Sequence, residues 1–279
     1  MMMKPIPRRA HSILKRLDGT LRQRPSFSTE TYYDSQSGLH VPVHNEKEVS
    51  VFLNLSKVPT SPDSFVPAQL YKEDASSNMA DKLQELVEQG IRGLWLPPAR
   101  FPRDLRNLQT LDNIAPPGFR FFVALESPLD KPLETLSVLN EFKMHSDTEK
   151  LQEILSSHIE SGANTTLRLG QDVSGDSDGM SVANQLATLI DAAGGANYLW
   201  VTPHDSADED DVIELCEEIM YVDIAGPTMQ SRIVIESAKE EVVDETMLVG
   251  INKFAVDDVS QVDTISDIAT AQGKQLIMA

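Results

Sequence analysis

The chain has 279 residues, 43 acidic against 24 basic side chains, 41% hydrophobic residues and a single Cys. With 14 Gly and 16 Pro it is no collagenous or low-complexity polymer, its apolar content is too high for a disordered chain, and one Cys excludes an internal disulfide and a Cys-based zinc site. The formal charge of -19 argues against a footprint for DNA, RNA or anionic lipid, all of which reward clustered Lys and Arg.

That charge is unevenly spread. Residues 1–29 hold Lys4, Arg8, Arg9, Lys15, Arg16, Arg22 and Arg24 against Asp18 alone, with Ile13, Leu14, Leu17 and Leu21 at helical spacing. A segment rich in Arg, Ser and Leu and poor in acids has the composition of an organelle transit peptide. Arg22-Gln-Arg-Pro-Ser-Phe-Ser-Thr29 resembles the end of a mitochondrial presequence, with cleavage expected between Phe27 and Thr29, so the expected location is the mitochondrial matrix. A basic tail or a nucleic-acid-touching arm is the alternative. No apolar run approaches the ~18 residues of a membrane span, so no membrane partner is expected. Residues 30–49, with their polar and turn residues, read as a lead-in, and 50–279 as one domain.

In chain order, residues 49–56 read as a strand and 57–66 as a Pro/Ser-rich loop. Met79, Ala80, Leu83, Leu86 and Val87 then mark a helix that stops at Gly90. Residues 93–96 read as a strand, a Pro/Arg loop follows, and 120–126 is the next strand. A helix opens at Asp147, with Leu151, Ile154, Leu155 and Ile159 on one face, and ends near Gly162. Strand 165–169, helix 180–192, strand 198–202, helix 209–219 and strand 221–224 follow. Residues 230–244 read as either strand or helix start, 247–252 as strand, 257–271 as helix and 275–278 as a last strand.

Eight strand starts separated mostly by helices predict a parallel sheet, and the length fits a (β/α)8 TIM barrel, with an open doubly wound sheet as the alternative. In the barrel reading the helix after the eighth strand is missing. A protein partner, a second copy or the lead-in is then expected to cover that strand.

In either architecture functional groups lie at the C-terminal ends of parallel strands. Those ends read Asn54 and Ser56, Pro97-Pro98, Glu126, Arg168 with Gln171, His204-Asp205, Asp223, and Asn252-Lys253. His204 is the candidate base, because imidazole transfers protons near neutral pH, and Glu126 or Asp223 can approach it across strands. The other reading of Thr202-Pro-His-Asp-Ser is a polar turn that caps the next helix. Gly170-Gln-Asp-Val-Ser-Gly-Asp-Ser-Asp-Gly179 lacks the Lys-Ser/Thr ending of a phosphate loop, and its acids lack EF-hand spacing, so no metal site is expected. Trp95, Trp200 and Cys216 are expected to pack in the core.

Two stretches resemble barrel oxidoreductase families. Tyr221-Val-Asp-Ile224, followed by Gly250-Ile-Asn-Lys-Phe-Ala-Val-Asp-Asp-Val259, resembles the aldo-keto reductases, with Asn252 and Lys253 standing where that family touches nicotinamide. The family's Asp-x-x-x-x-Tyr-Gly site is absent from this sequence. Gly90-Ile-Arg-Gly-Leu-Trp-Leu-Pro97, with Leu167-Arg-Leu-Gly170 and Val182-Ala-Asn-Gln-Leu-Ala-Thr-Leu189, is similar to luciferase-like flavin or deazaflavin enzymes. The resemblances imply an oxidoreductase on a small organic substrate, using NADP or a flavin, with Arg168, Asn252 and Lys253 on the cofactor side. The alternative is a non-catalytic barrel that acts as an interaction or assembly factor.

Overall fold

The computed structural model of the chain describes residues 31–34, 39–42, 47–57, 79–100, 102–125, 129, 131–142, 148–170, 179–193, 196–203, 209–221, 233–236 and 239–277. It divides into two compact units, Met1–Asn45 and Glu46–Ala279. In the first, within the expected lead-in, β1 (Thr31–Asp34) pairs antiparallel with β2 (Leu39–Pro42).

The second unit runs β3 (Glu48–Asn54), α1 (Met79–Glu88), β4 (Ile91–Trp95), α2 (Pro102–Ile114), β5 (Arg120–Val123) and β6 (Leu136–Phe142). It continues with α3 (Thr148–Glu160), β7 (Asn164–Leu169), α4 (Gly179–Ala193), β8 (Tyr198–Val201), α5 (Glu209–Tyr221), β9 (Ile233–Glu236), α6 (Glu240–Leu248), β10 (Lys253–Val256), α7 (Gln261–Ala271) and β11 (Gln275–Leu276). Strands β3 to β10 pair in parallel, each with the next, and β10 pairs with β3 from Lys253↔Ser50 to Val256↔Leu53. That last pairing closes the sheet. The fold is an eight-stranded (β/α)8 barrel, the first of the two predicted architectures.

The eighth strand is β10, and α7 (Gln261–Ala271) follows it, so the helix expected to be missing after the eighth strand is present. β11 is a two-residue addition that pairs with Glu48 and Val49 on β3, immediately before the residues β10 uses. Residues 247–252, expected as strand, are the end of α6 and the turn after it. Val242, Val243, Thr246 and Met247 are buried on one helical face, and Gly250 ends the helix at φ +97°, where a side chain would be strained. Tyr221 closes α5, and the remainder of the expected strand 221–224 lies outside the described residues; the seventh barrel strand is β9.

Besides β1, β2 and β10, which fall where no strand was expected, a helix and a strand of the barrel were not expected. Helix α2 occupies the Pro/Arg loop, with Pro102 as its first residue, where the missing N–H costs nothing, and Leu108 and Leu111 buried at a spacing of three. Strand β6 is the other.

Side chains alternate across the strands, with a register shift where β3 meets β4 that sets both Ile91 and Leu94 in the outer core. Val51, Leu53, Phe121, Leu167, Leu199, Ile233, Ile235 and Phe254 face outward and join the apolar faces of the helices in one core. Each such fully buried side chain contributes about 1.5–3 kcal/mol. Phe52, Trp95, Phe122, Leu139, Trp200, Val234 and Ala255 face inward and fill the barrel at mid-height. Their rings meet at 5.0 Å (Phe52–Phe122), 4.8 Å (Phe122–Trp200) and 5.2 Å (Trp95–Trp200), as a packed septum. Gly93 makes this fit possible, since a Cβ there would lie 2.5 Å from the Arg120 carbonyl oxygen and 3.0 Å from Phe52 Cδ1.

Candidate functional site

The septum leaves the two ends of the barrel interior polar. At the C-terminal end, seven strands deliver Asn54 (β3), Trp95 (β4), Glu141 (β6), Arg168 (β7), Thr202 (after β8), Glu236 (β9) and Asp257 (after β10) to one network. Glu236, 1% exposed, is its centre. Arg168 donates from Nε to Glu236 Oε2 at 2.8 Å and from Nη2 to Oε1 at 3.2 Å, a forked ion pair. Thr202 Oγ1 donates to Oε2 at 2.7 Å and Asn54 Nδ2 to Oε1 at 3.4 Å, so four donors surround one carboxylate.

Arg168 also reaches Glu141 through Nη1 at 3.0 Å, and its guanidinium lies 4.8 Å from the centre of the Trp95 ring. Asn54 Nδ2 donates to Asp257 Oδ1 at 3.0 Å, while its Oδ1 accepts from Ser56 N at 3.0 Å and Ser56 Oγ at 2.7 Å. A buried carboxylate is costly unless it is paired and its lone pairs are filled, and here both conditions hold. Glu236 and Glu141 thus share one guanidinium, Asp257 joins the network through Asn54, and Glu141 and Asp257 keep solvent-exposed surface.

Of the candidate residues, Asn54, Ser56 and Arg168 come together in this network. Glu126, His204 and Asp223, the expected proton-transfer set, lie outside the described residues, as do Gln171 and Asp205. Asn252 and Lys253 stand at the other end of the barrel. They begin the eighth strand instead of ending one, and Lys253 is level with Ser50, four residues or about 13 Å down β3 from Asn54. Asn252 Oδ1 accepts from Lys274 Nζ at 2.7 Å, and Lys253 is 7% exposed on the inner face. Arg168 is therefore not brought together with Asn252 and Lys253. Glu141, Glu236 and Asp257 were missed. The available signal was an apolar strand ending on an acid, as in Ile233-Val-Ile-Glu236.

Burial lowers the Lys253 amine to about 7 and raises the Cys216 thiol to about 12, because the interior penalises each charged form. Trp95, Trp200 and Cys216 pack as expected. Among the described residues no three His, Cys, Asp or Glu side chains are placed to hold a metal ion, and no helix is long and apolar enough to cross a membrane.

No family model matches the chain, nor does any curated protein sequence. Among solved structures, dihydropteroate synthase from Thermus thermophilus in complex with 4-aminobenzoate is similar over 81% of this chain and 95% of its own, at 12% identity and TM-score 0.48. HMG-CoA lyase of Bacillus subtilis matches over 82% and 95%, at 10% identity and TM-score 0.43. A truncated 3-deoxy-D-arabino-heptulosonate 7-phosphate synthase from Thermotoga maritima matches over 82% and 89%, at 10% identity and TM-score 0.38. At this distance no reaction or substrate passes to this chain; the barrel itself rests on its strand pairings.

Proposed function

We propose that this barrel is a small-molecule enzyme whose substrate binds at the C-terminal mouth. The observation that carries the reading is the placement of charge. A buried, fully hydrogen-bonded carboxylate with its arginine sits where parallel barrels gather their functional groups, above a septum of rings and aliphatic side chains. A well-packed apolar layer would close this end at less desolvation cost.

The charges also select the substrate. Among the described residues of this network, three carboxylates against one guanidinium sum to -2, which favours a neutral or cationic molecule carrying hydroxyl or amine groups over a phosphorylated one. Glu141 and Asp257 accept hydrogen bonds from those groups and are the bases available to them; Arg168, fixed by Glu236 and Trp95, orients the molecule. Saturation-transfer NMR with a library of polyols and amines tests this. Hits on the wild type should weaken at least tenfold in Glu141→Gln/Asp257→Asn, and hits that bind this variant equally well would overturn the reading.

The redox form of the proposal, with NADP or a flavin, is supported by the two family resemblances. Titration of the protein with NADPH and with FMN decides it, since neither cofactor binding would remove it. A non-catalytic interaction barrel loses one of its motives, because α7 already follows the eighth strand.

A further inference from the structure

The guanidinium at the mouth is pinned by three other strands. Arg168 spends its Nε–H and one N–H of Nη2 on Glu236, at 2.8 and 3.2 Å, and one N–H of Nη1 on Glu141, at 3.0 Å. The Trp95 ring lies 4.8 Å from its central carbon. These partners stand on β9, β6 and β4, so the barrel rather than the flexible arginine stem sets the plane of the group. Arginine carries five N–H groups in one plane, so one on Nη1 and one on Nη2 are left without an acceptor among the described residues. Glu236 occupies the edge made by Nε and Nη2, and the unspent Nη2 proton therefore lies on the other edge, beside Nη1. Arg168 keeps 15% of its side chain exposed and Glu141 39%, so both are reached from solvent.

We propose that this second edge of Arg168 recognises a neutral carbonyl oxygen, and that the molecule bound at the mouth is an amine carrying an amide or ketone carbonyl. The inference rests on the mouth reading and sharpens it, since Glu141 and Asp257 there take the amine while Arg168 selects its companion group. Charge decides which acceptor suits the edge. Arg168 already faces Glu236 and Glu141, with Asp257 joined through Asn54, so a ligand carboxylate or phosphate would add a further negative charge beside them. A hydroxyl brings a proton of its own, which the carboxylates claim. A carbonyl oxygen has two lone pairs and no proton, and it fits donors alone. Because the guanidinium is fixed before the ligand arrives, little of its side-chain freedom is lost on binding.

Three compounds of equal carbon count, 3-aminopropanamide, propylamine and 3-aminopropanoate, test this on the full chain by NMR titration at pH 7.5. The amide should bind about tenfold more tightly than propylamine, the contribution of a hydrogen bond from a charged donor, and more tightly than the carboxylate. With 15N-labelled arginine, the Arg168 Nη resonance should shift on adding the amide and stay in place with propylamine. Arg168→Lys keeps the charge, loses the planar edge, and should bring the amide down to the affinity of propylamine. Equal affinities of the amide and propylamine for the wild type, tightest binding by the carboxylate, or no binding by any of the three would overturn the proposal. The wild-type series reads this whether or not the variant folds. Equal affinities for amide and amine that fall together in Glu141→Gln/Asp257→Asn would remove the carbonyl alone, whereas affinities unchanged in that double variant would remove the mouth reading beneath it.

Discussion

Arg168 and Glu236, 68 positions apart in sequence, meet at the C-terminal ends of β7 and β9 through two parallel hydrogen bonds of 2.8 and 3.2 Å. Side-chain exposures of 15% and 1% make this a largely desolvated pair. Removing one member strands the other charge, whereas replacing both removes the desolvation cost together with the attraction. Glu236→Leu should therefore lose about 3 kcal/mol in urea denaturation, and Arg168→Met/Glu236→Leu should recover most of it. Equal losses in the single and double variants would mean that the pair is not coupled as described.

Gly93 is tied to the septum in the same way. A methyl group there meets the Arg120 carbonyl oxygen at 2.5 Å, a backbone atom that cannot move aside without disturbing the β4–β5 ladder, and Phe52 at 3.0 Å. Gly93→Ala should cost about 2 kcal/mol, in the usual range for overpacking a well-filled interior. Phe52→Leu in the same chain should return part of it. A variant as stable as the wild type would show that β4 has room to shift.

How much of this was legible in the sequence depended on the inner faces. Strands such as 198–201 read clearly, because Leu199 and Val201 face the helices and Trp200 faces the septum, which makes the run continuously apolar. Strand β6 escaped notice because its inner face carries Ser137 and Glu141, which break that run. Met247-Leu-Val-Gly-Ile-Asn252 misled for the opposite reason. It carries no polar side chain before Asn252, and only the buried positions upstream in α6, with Gly250 ending the helix, reveal the period. Arg168 was visible as a charge at a strand end. Glu236, its partner, was hidden by the ambiguity of its own segment, and pairing across 68 positions has no local signature.

Cys216 offers a probe of the outer core. It is fully buried on α5 between the helix layer and the strands, and burial holds its thiol near 12, so almost no thiolate exists at neutral pH. Ellman's reagent at pH 8 should leave the native protein unreacted for hours and titrate one thiol within minutes in denaturing urea. Rapid reaction of the native protein would mean that α5 opens readily from the barrel.

The basic segment at residues 1–29 makes a separate prediction. Its seven bases against one acid, with apolar residues at helical spacing, suit import across a negatively polarised membrane. Residues 1–40 fused to a fluorescent protein should direct it to mitochondria and be cut between Phe27 and Thr29. A uniform cytosolic signal with an intact amino terminus would remove both the leader and the matrix assignment.

Lys253 makes stability depend on pH in a definite direction. Its amine falls from 10.5 when exposed to about 7 when folded, so between these values the unfolded chain binds a proton that the native protein does not. Stability contributed at this site is complete above 10.5, falls by up to about 1.4 kcal/mol per pH unit as the pH drops toward 7, and levels off below. Lys253→Met has no proton to gain and is free of this slope. Its advantage over the wild type in urea denaturation should be largest at pH 7 and below and shrink steadily as the pH rises toward 10. Parallel stability curves for the two proteins between pH 7 and 10 would show that Lys253 is protonated in the folded barrel as it is in water.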